Sequence, residues 1–431
     1  MPGCLGESVK LIYVTGSFPY TVTEVFAAPE LTELLRRGHE VRVTPIRLAD
    51  EAPPADAQPF VEHTVRFPRL SARTLRAAVY ALAKHPRRSL EALRKSLAGQ
   101  PRQVRRHNLM GFVHGLSLAH YARRWGAEHI HAYWATMAAT SAMVASEVTG
   151  IPWSFTAHRQ DLVKPNALRA KLESSSFARF ISNDGLKLAA AETGDGLGDA
   201  LEGKAVVLRL GVELKATPPA PPSPAAPLRL VCAASLTTRK GHRYLLEAAA
   251  RLKAEGRPFH LTLVGDGALR DALEALVGEL GLNAEVEVRG AVEHTELLGL
   301  YAAGHFGAAV LASLHEGIPV ALIEAMAHGL PVVGTDVGGV GELLAGGAGL
   351  LVPSEDAGAL AAAIGRLVED ADLRGRLGET GRQRVQAGYD AKRTVRQLER
   401  LYRQASRPAL PAEAPATRQG GLELPADTPV P

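Results

Sequence analysis

Cysteine is almost absent from the 431-residue chain, which holds only Cys4 and Cys232, far apart in sequence. Two such thiols make neither a disulfide framework nor a Cys-rich zinc site, and they suit a reducing cytosol. Long apolar runs are missing too. Glu7 precedes the first apolar stretch, no segment has signal-peptide quality, and none reaches the ~18 uninterrupted apolar residues of a membrane span. The expectation is a cytoplasmic chain that does not cross a bilayer. What is present is ordinary for a globular protein able to bury large cores: 46% hydrophobic and 22% charged residues. At roughly 100 to 200 residues per domain, the length predicts two or three domains.

The net charge of +4 conceals an uneven distribution. Between Arg66 and Arg124 stand fourteen Lys or Arg residues and one acid, Glu91, so this segment carries +13 and the rest of the chain −9. Such a run is a solvated helix face, a nucleic-acid patch or a surface for anionic lipid. Nucleic acid is disfavoured as a partner, because the segment has few aromatic residues to stack bases and matches no nucleic-acid-binding motif.

Apolar, strand-like runs alternate with longer helical patterns along the chain, which predicts an α/β fold of parallel sheets flanked by helices. Strands are expected at Val9 to Thr15, His39 to Ile46, His129 to Trp134, Trp153 to Ala157, Phe177 to Ser182 and Val206 to Leu210. The pattern restarts with Leu228 to Ala234, Leu261 to Val264, Val286 to Arg289, Ala308 to Leu311, Pro331 to Gly334 and Leu350 to Val352. Between the two sets, residues 216–227 contain six prolines in twelve positions, a composition of stiff linkers. The domains are therefore expected at 1–215 and 228–390, with a helix at 391–406 that carries Val395, Leu398 and Leu401 at helical spacing and can pack on either domain, including back on the first. Residues 407–431 lack periodicity and read as a disordered tail.

Open parallel sheets bind ligands at the carboxyl ends of their strands, where loops lead into helix N-termini. Gly16 follows the first strand and lets backbone approach a ligand. Gly265 and Gly267 follow another, but Arg270 stands where a dinucleotide fingerprint has its third glycine. Gly198, Gly203 and Lys204 have P-loop spacing, yet Ala205 replaces the metal-binding hydroxyl. His129 and His131 share a strand face without a third ligand, so no metal site is expected. The strongest pattern is SLHEGIPVALIEAMAHGLPVVGTDVG at Ser313 to Gly338. Its backbone amides can grip a phosphate, with Pro319 in the first turn of a helix reaching Gly329. Glu316 and Glu324 can accept hydrogen bonds from the vicinal hydroxyls of a sugar and a ribose. Taken singly, Glu316 reads better as an N-cap and Glu324 as a solvated helical residue.

With these residues in view, the sequence resembles family 4 of the retaining glycosyltransferases over about residues 9 to 405. That family has the GT-B architecture of two facing Rossmann-like domains, the first handling acceptor and the second the nucleotide-sugar donor. Glu316 and Glu324 coincide with its E-x7-E pair. FPYTVTEVF near the start and SFTAHRQDL at Ser154 to Leu162 are similar to exopolysaccharide and colanic-acid-type members. The resemblance implies that Glu316 contacts donor-sugar hydroxyls, Glu324 the nucleotide ribose, and the Gly317 and Ile318 amides the diphosphate. It further implies that His158 lies beside the reacting sugar carbon and that Lys240 is the phosphate-binding lysine. Where the family has Gly-Arg this chain has Ala234 and Ser235, and Arg239 is the substitute cation. The activity implied is a metal-independent, retaining hexosyltransferase of bacterial surface polysaccharide assembly. It has no cofactor, since the nucleotide-sugar is a substrate, and a glycan or polyprenyl-diphosphate-linked acceptor. The basic segment then docks on the anionic inner face of the membrane.

Two rivals share the architecture. A sugar-nucleotide 2-epimerase needs additional acid/base carboxylates in the cleft and lacks this E-x7-E block. A non-catalytic sugar-nucleotide or membrane-binding module, suggested by Ser235, would bind nucleotide without turnover.

Overall fold

The computed structural model describes residues 8–48, 52–68, 71–163, 166–192, 198–214 and 227–406. The proline-rich linker, apart from Pro227, and the 407–431 tail lie outside them. Two six-stranded sheets, all parallel, make up the molecule. The first contains β1 (Lys10–Thr15), β2 (Glu40–Pro45), β3 (His129–Ala132), β4 (Trp153–Ala157), β5 (Phe177–Phe180) and β6 (Ala205–Val207) in the order β2-β1-β3-β4-β5-β6. The second contains β7 (Leu228–Ala233), β8 (Phe259–Val264), β9 (Val286–Gly290), β10 (Ala308–Leu311), β11 (Val332–Thr335) and β12 (Leu350–Val352) in the order β12-β11-β10-β7-β8-β9. Central strands such as Trp153–Ala157 and Ala308–Leu311 are buried along their whole length. Helices cover both faces, which is why these strands read as continuous apolar runs and do not alternate.

Strand β6 is shorter than the sequence predicts. Its continuation is drawn off the sheet by Arg179, whose guanidinium donates to the carbonyls of Leu208 and Arg209, each at 2.7 Å. Arg179 is fully buried and paired with Glu30 at 2.6 Å. Glu30 also accepts from the Tyr13 hydroxyl at 3.1 Å, and Tyr13 meets the Tyr402 hydroxyl at 2.6 Å. Tyr402 belongs to the helix Ala391–Ser406, whose Val395, Leu398 and Tyr402 sit in the core of the first domain. The chain therefore crosses between domains twice. The crossings run side by side, with Val212 N–H donating to Tyr389 O at 2.8 Å and Ala391 N–H to Val212 O at 3.0 Å.

Each sheet has one place where strand order reverses. In the first it lies between β1 and β3, in the second between β7 and β10. Loops leaving the two strands on either side of such a point diverge and open a crevice. This fold thus offers two crevices, and the domains bring them face to face.

Candidate active site in the interdomain cleft

At the second crevice, the loop after β7 and the loop after β10 meet. Lys240 Nζ donates to Glu316 Oε1 at 2.5 Å, and Ser313 Oγ donates to the same oxygen at 2.7 Å. Gly241 makes the approach possible: its φ is +62°, and a Cβ there would collide with the Ala312 carbonyl. The helix carrying Glu324 is Val320–Ala327, shorter than the sequence predicts at both ends. Pro319 is its N-cap, in extended conformation, with its carbonyl accepting from Leu322 and Ile323. Glu316 is therefore in the loop and not on the helix, so the two glutamates are not related by a straight helical rise. Among the described residues the Gly317 and Ile318 amides donate to no protein acceptor. The Gly265 amide is occupied by Gly290 O at 2.8 Å.

At the first crevice side chains already take up the loop amides, although the Tyr133 hydroxyl and Trp134 Nε1 are buried without a partner among the described residues. The Gly16, Ser17 and Phe18 amides all donate to the Glu24 carboxylate, at 3.0, 3.0 and 3.2 Å. That carboxylate also fills the space a side chain on Gly16 would take. A ligand at this loop meets an acid, not free amide donors. His158, after β4, stacks on Trp134 with ring centroids 4.2 Å apart. Its Nε2 lies 3.0 Å from Tyr133 O, and since a carbonyl only accepts, Nε2 carries the proton. Burial, with the charge of Arg179 behind it, lowers the His158 pKa to about 3, so the ring is neutral. Asp161 accepts from the backbone amides of His158 at 3.1 Å and Ala135 at 2.9 Å. Lys171, wholly buried, donates to the carbonyls of Ala135, Thr136 and Asn166 at 2.7 to 2.9 Å. These two side chains knit the β3 and β4 loops into one platform. His129 and His131 both bond Ser154, at 2.7 and 2.8 Å, inside the core.

The crevices touch. A Cβ on Gly317 would lie 3.6 Å from Arg159 Cβ and 3.5 Å from Ile181 Cδ1. The Arg239 guanidinium reaches Gln160, whose amide oxygen accepts at 2.8 and 2.9 Å once oriented toward it. Glu342 joins the domains further along, accepting from Arg209 at 2.6 Å and from Asn183 N–H at 2.9 Å. Glu324 accepts from His294 Nε2 at 2.7 Å, and His294 Nδ1 lies 2.5 Å from Asp56 of the first domain. Sequence reading singles out none of Glu24, Asp161, Lys171, His294 or Asp56. Lys171, His294 and Asp56 act through contacts remote in sequence, whereas Glu24 binds amides six to eight residues away and Asp161 one three residues away.

A pair of facing Rossmann-like domains with a polar cleft between them is the GT-B architecture. Residues 216–384 match the model of the family Glycosyl transferases group 1. The chain is 33% identical over 170 residues to alpha-D-kanosaminyltransferase of Streptomyces kanamyceticus, covering 39% of this chain and 44% of that protein. It is 34% identical over 207 residues to the putative colanic acid biosynthesis glycosyltransferase WcaL of Salmonella typhimurium, covering 46% of this chain and 50% of that one. These matches thus span about half the length of the curated relatives. Among solved structures, Anabaena HepE in complex with UDP superposes with a TM-score of 0.67 at 16% identity, covering 92% of this chain and 100% of that one. At that identity the likeness speaks for the fold alone. Among the described residues, no helix is long and apolar enough to cross a membrane.

Proposed function

We propose that the protein is a retaining glycosyltransferase that moves a hexosyl group from a nucleotide-sugar to a glycan or lipid-linked acceptor in bacterial surface polysaccharide assembly. The observation that carries this is the convergence of Lys240, Glu316 and the unpaired Gly317 and Ile318 amides at the β7/β10 reversal, against the His158 loop of the other domain. Transfer breaks the bond from the anomeric carbon to a diphosphate oxygen, and the electron pair leaves with the diphosphate. A lysine and preorganised amides are suited to holding that charge. Arg239 stands close enough to the cleft to supply a second cation where Ser235 replaces the family arginine. Lys240 and Glu316 pair with each other, so donor phosphate and sugar hydroxyls meet partners that are already in place. A neutral, Trp-stacked His158 is a positioning group for sugar and acceptor and not a proton donor.

HepE was solved with UDP, which makes UDP the first donor base to test. Thermal shifts with UDP, GDP, ADP and their sugar conjugates are the experiment, since specific binding raises apparent stability by mass action. Stabilisation by one base, unchanged by EDTA and lost in Glu324→Ala, supports the reading. No shift with any nucleotide overturns it.

The basic segment lies on the helices Ala72–Lys84, Pro86–Leu97 and Arg102–Trp125 of the first domain. Leu75, Val79, Tyr80 and Leu90 are exposed on these helices, and Tyr80 shares two grooves with Arg76, Lys84 and Arg124. Cations beside exposed apolar side chains fit an anionic bilayer surface that presents a polyprenyl-linked acceptor. Flotation with anionic but not neutral vesicles is expected, and absence from both sinks this part of the proposal.

A further inference from the structure

His294 opens the helix His294–Ala302 of the second domain and is held between two carboxylates from opposite domains. Glu324 Oε1 lies 2.7 Å from Nε2, and Asp56 Oδ2, in the first-domain turn Ala55–Phe60, lies 2.5 Å from Nδ1. An ionised carboxylate only accepts, so both ring nitrogens act as donors and the ring is an imidazolium. Resting on the reading of Glu324 as a ribose contact, the geometry points to His294 as a positioning residue. It fixes the Glu324 carboxylate for the donor and, through Asp56, couples donor binding to closure of the first domain on the second.

The bond to His294 occupies Oε1 of Glu324 and sets the side chain so that its other oxygen is directed elsewhere. The backbone beneath is also fixed, since Glu324 O accepts from His328 Nδ1 at 2.7 Å. On its own helix, His294 is followed by Glu296, which is paired with Arg289 at 3.0 Å, and by Tyr301, whose hydroxyl is kept un-ionised by burial first and then by the Glu324 charge. Asp56 does not need to touch nucleotide to matter: it holds the far side of the ring. Burial opposes the charge on His294, but the bonds to Glu324 first and Asp56 second raise its pKa to about 9. The clasp is complete at neutral pH and dissolves as pH rises through that value.

The test is titration calorimetry of the full chain with UDP, GDP and ADP between pH 7 and 10. The base that binds is carried forward to Asp56→Asn and His294→Gln. Wild-type affinity is expected to fall across the upper part of this range. Asp56→Asn should weaken binding several-fold and move the fall to lower pH, because one of two carboxylates supporting the imidazolium is lost. His294→Gln should weaken it on the order of tenfold, as for loss of a charge-assisted bond, and flatten the profile. Nucleotide binding with the same affinity and pH profile in all three proteins overturns the inference while leaving the glycosyltransferase reading intact. Failure of the wild type to bind any of the three removes both. Asp56→Asn changes one atom in a half-exposed turn, so it answers the question even if His294→Gln fails to fold.

Discussion

The two strand-order reversals sit opposite each other and are built in contrary ways. At β1/β3, Glu24 satisfies three amides, Asp161 two more, and Lys171 three carbonyls, while burial keeps His158 neutral. At β7/β10, a lysine and a glutamate face each other with bare amides beside them. In one crevice side chains have consumed the loop amides, and in the other they have not. A surface that must shape itself to an acceptor needs stiffness more than charge. A surface that must hold a departing diphosphate needs donors that protein has not already consumed.

This contrast predicts opposite mutational signatures. Lys240→Ala should lower the transfer rate on the order of 10²-fold or more with little change in melting temperature, since the loss falls on developing charge. Comparable loss of stability and rate would show that the lysine is part of the scaffold. Glu24→Ala should do the reverse. It strips the acceptor from three amides, and a buried group left unsatisfied costs about 1–3 kcal/mol, so chemical denaturation should show a loss of about 2–3 kcal/mol. Nucleotide affinity measured on the folded fraction should be unchanged. Weaker nucleotide binding in Glu24→Ala would break the distinction between the crevices.

The same contrast explains what the sequence discloses. All twelve strands are legible, the central ones because a parallel strand covered on both faces is a contiguous apolar run whose cause is local, while edge strands such as β9, VEVRG, are only partly buried. The donor loop is legible for a similar reason: Ser313, Glu316, Gly317 and Glu324 fall within twelve residues. The first crevice is legible only at His158 and in the strings FPYTVTEVF and SFTAHRQDL, since its parts come from the loops after β1, β3 and β4. Nothing in those strings shows that Glu24 and Asp161 bind loop amides. His294 meets Asp56 across 238 positions, and no spacing rule reaches that far. The end of β6 and the boundaries of the Glu324 helix also escape, the first because Arg179 captures two carbonyls from a neighbouring strand. The second follows from Pro319 capping its helix from outside.

Acid and alkali separate the two regions further. His129 and His158 are held near pKa 3, His129 by burial and His158 by burial and then the Arg179 charge, against about 6.5 in an unfolded chain. A folded pKa below the unfolded one means that the unfolded state binds more protons as pH falls under 6.5. The first domain therefore loses stability in acid, by up to about 1.4 kcal/mol per pH unit for each such ring. His294 has the opposite sign: raised to about 9, its contribution is whole below 6.5 and disappears as pH climbs through 9. Denaturation followed between pH 4.5 and 10 should thus show an acid limb that becomes shallower in His129→Leu and an alkaline limb that becomes shallower in His294→Gln. The Leu side chain leaves Ser154 its second histidine partner, His131, so the acid slope and not the neutral-pH stability is the quantity to compare. An acid limb equally steep with and without His129 would mean that the ring is protonated in the native core, and the dry character of the first-domain core would be lost with it.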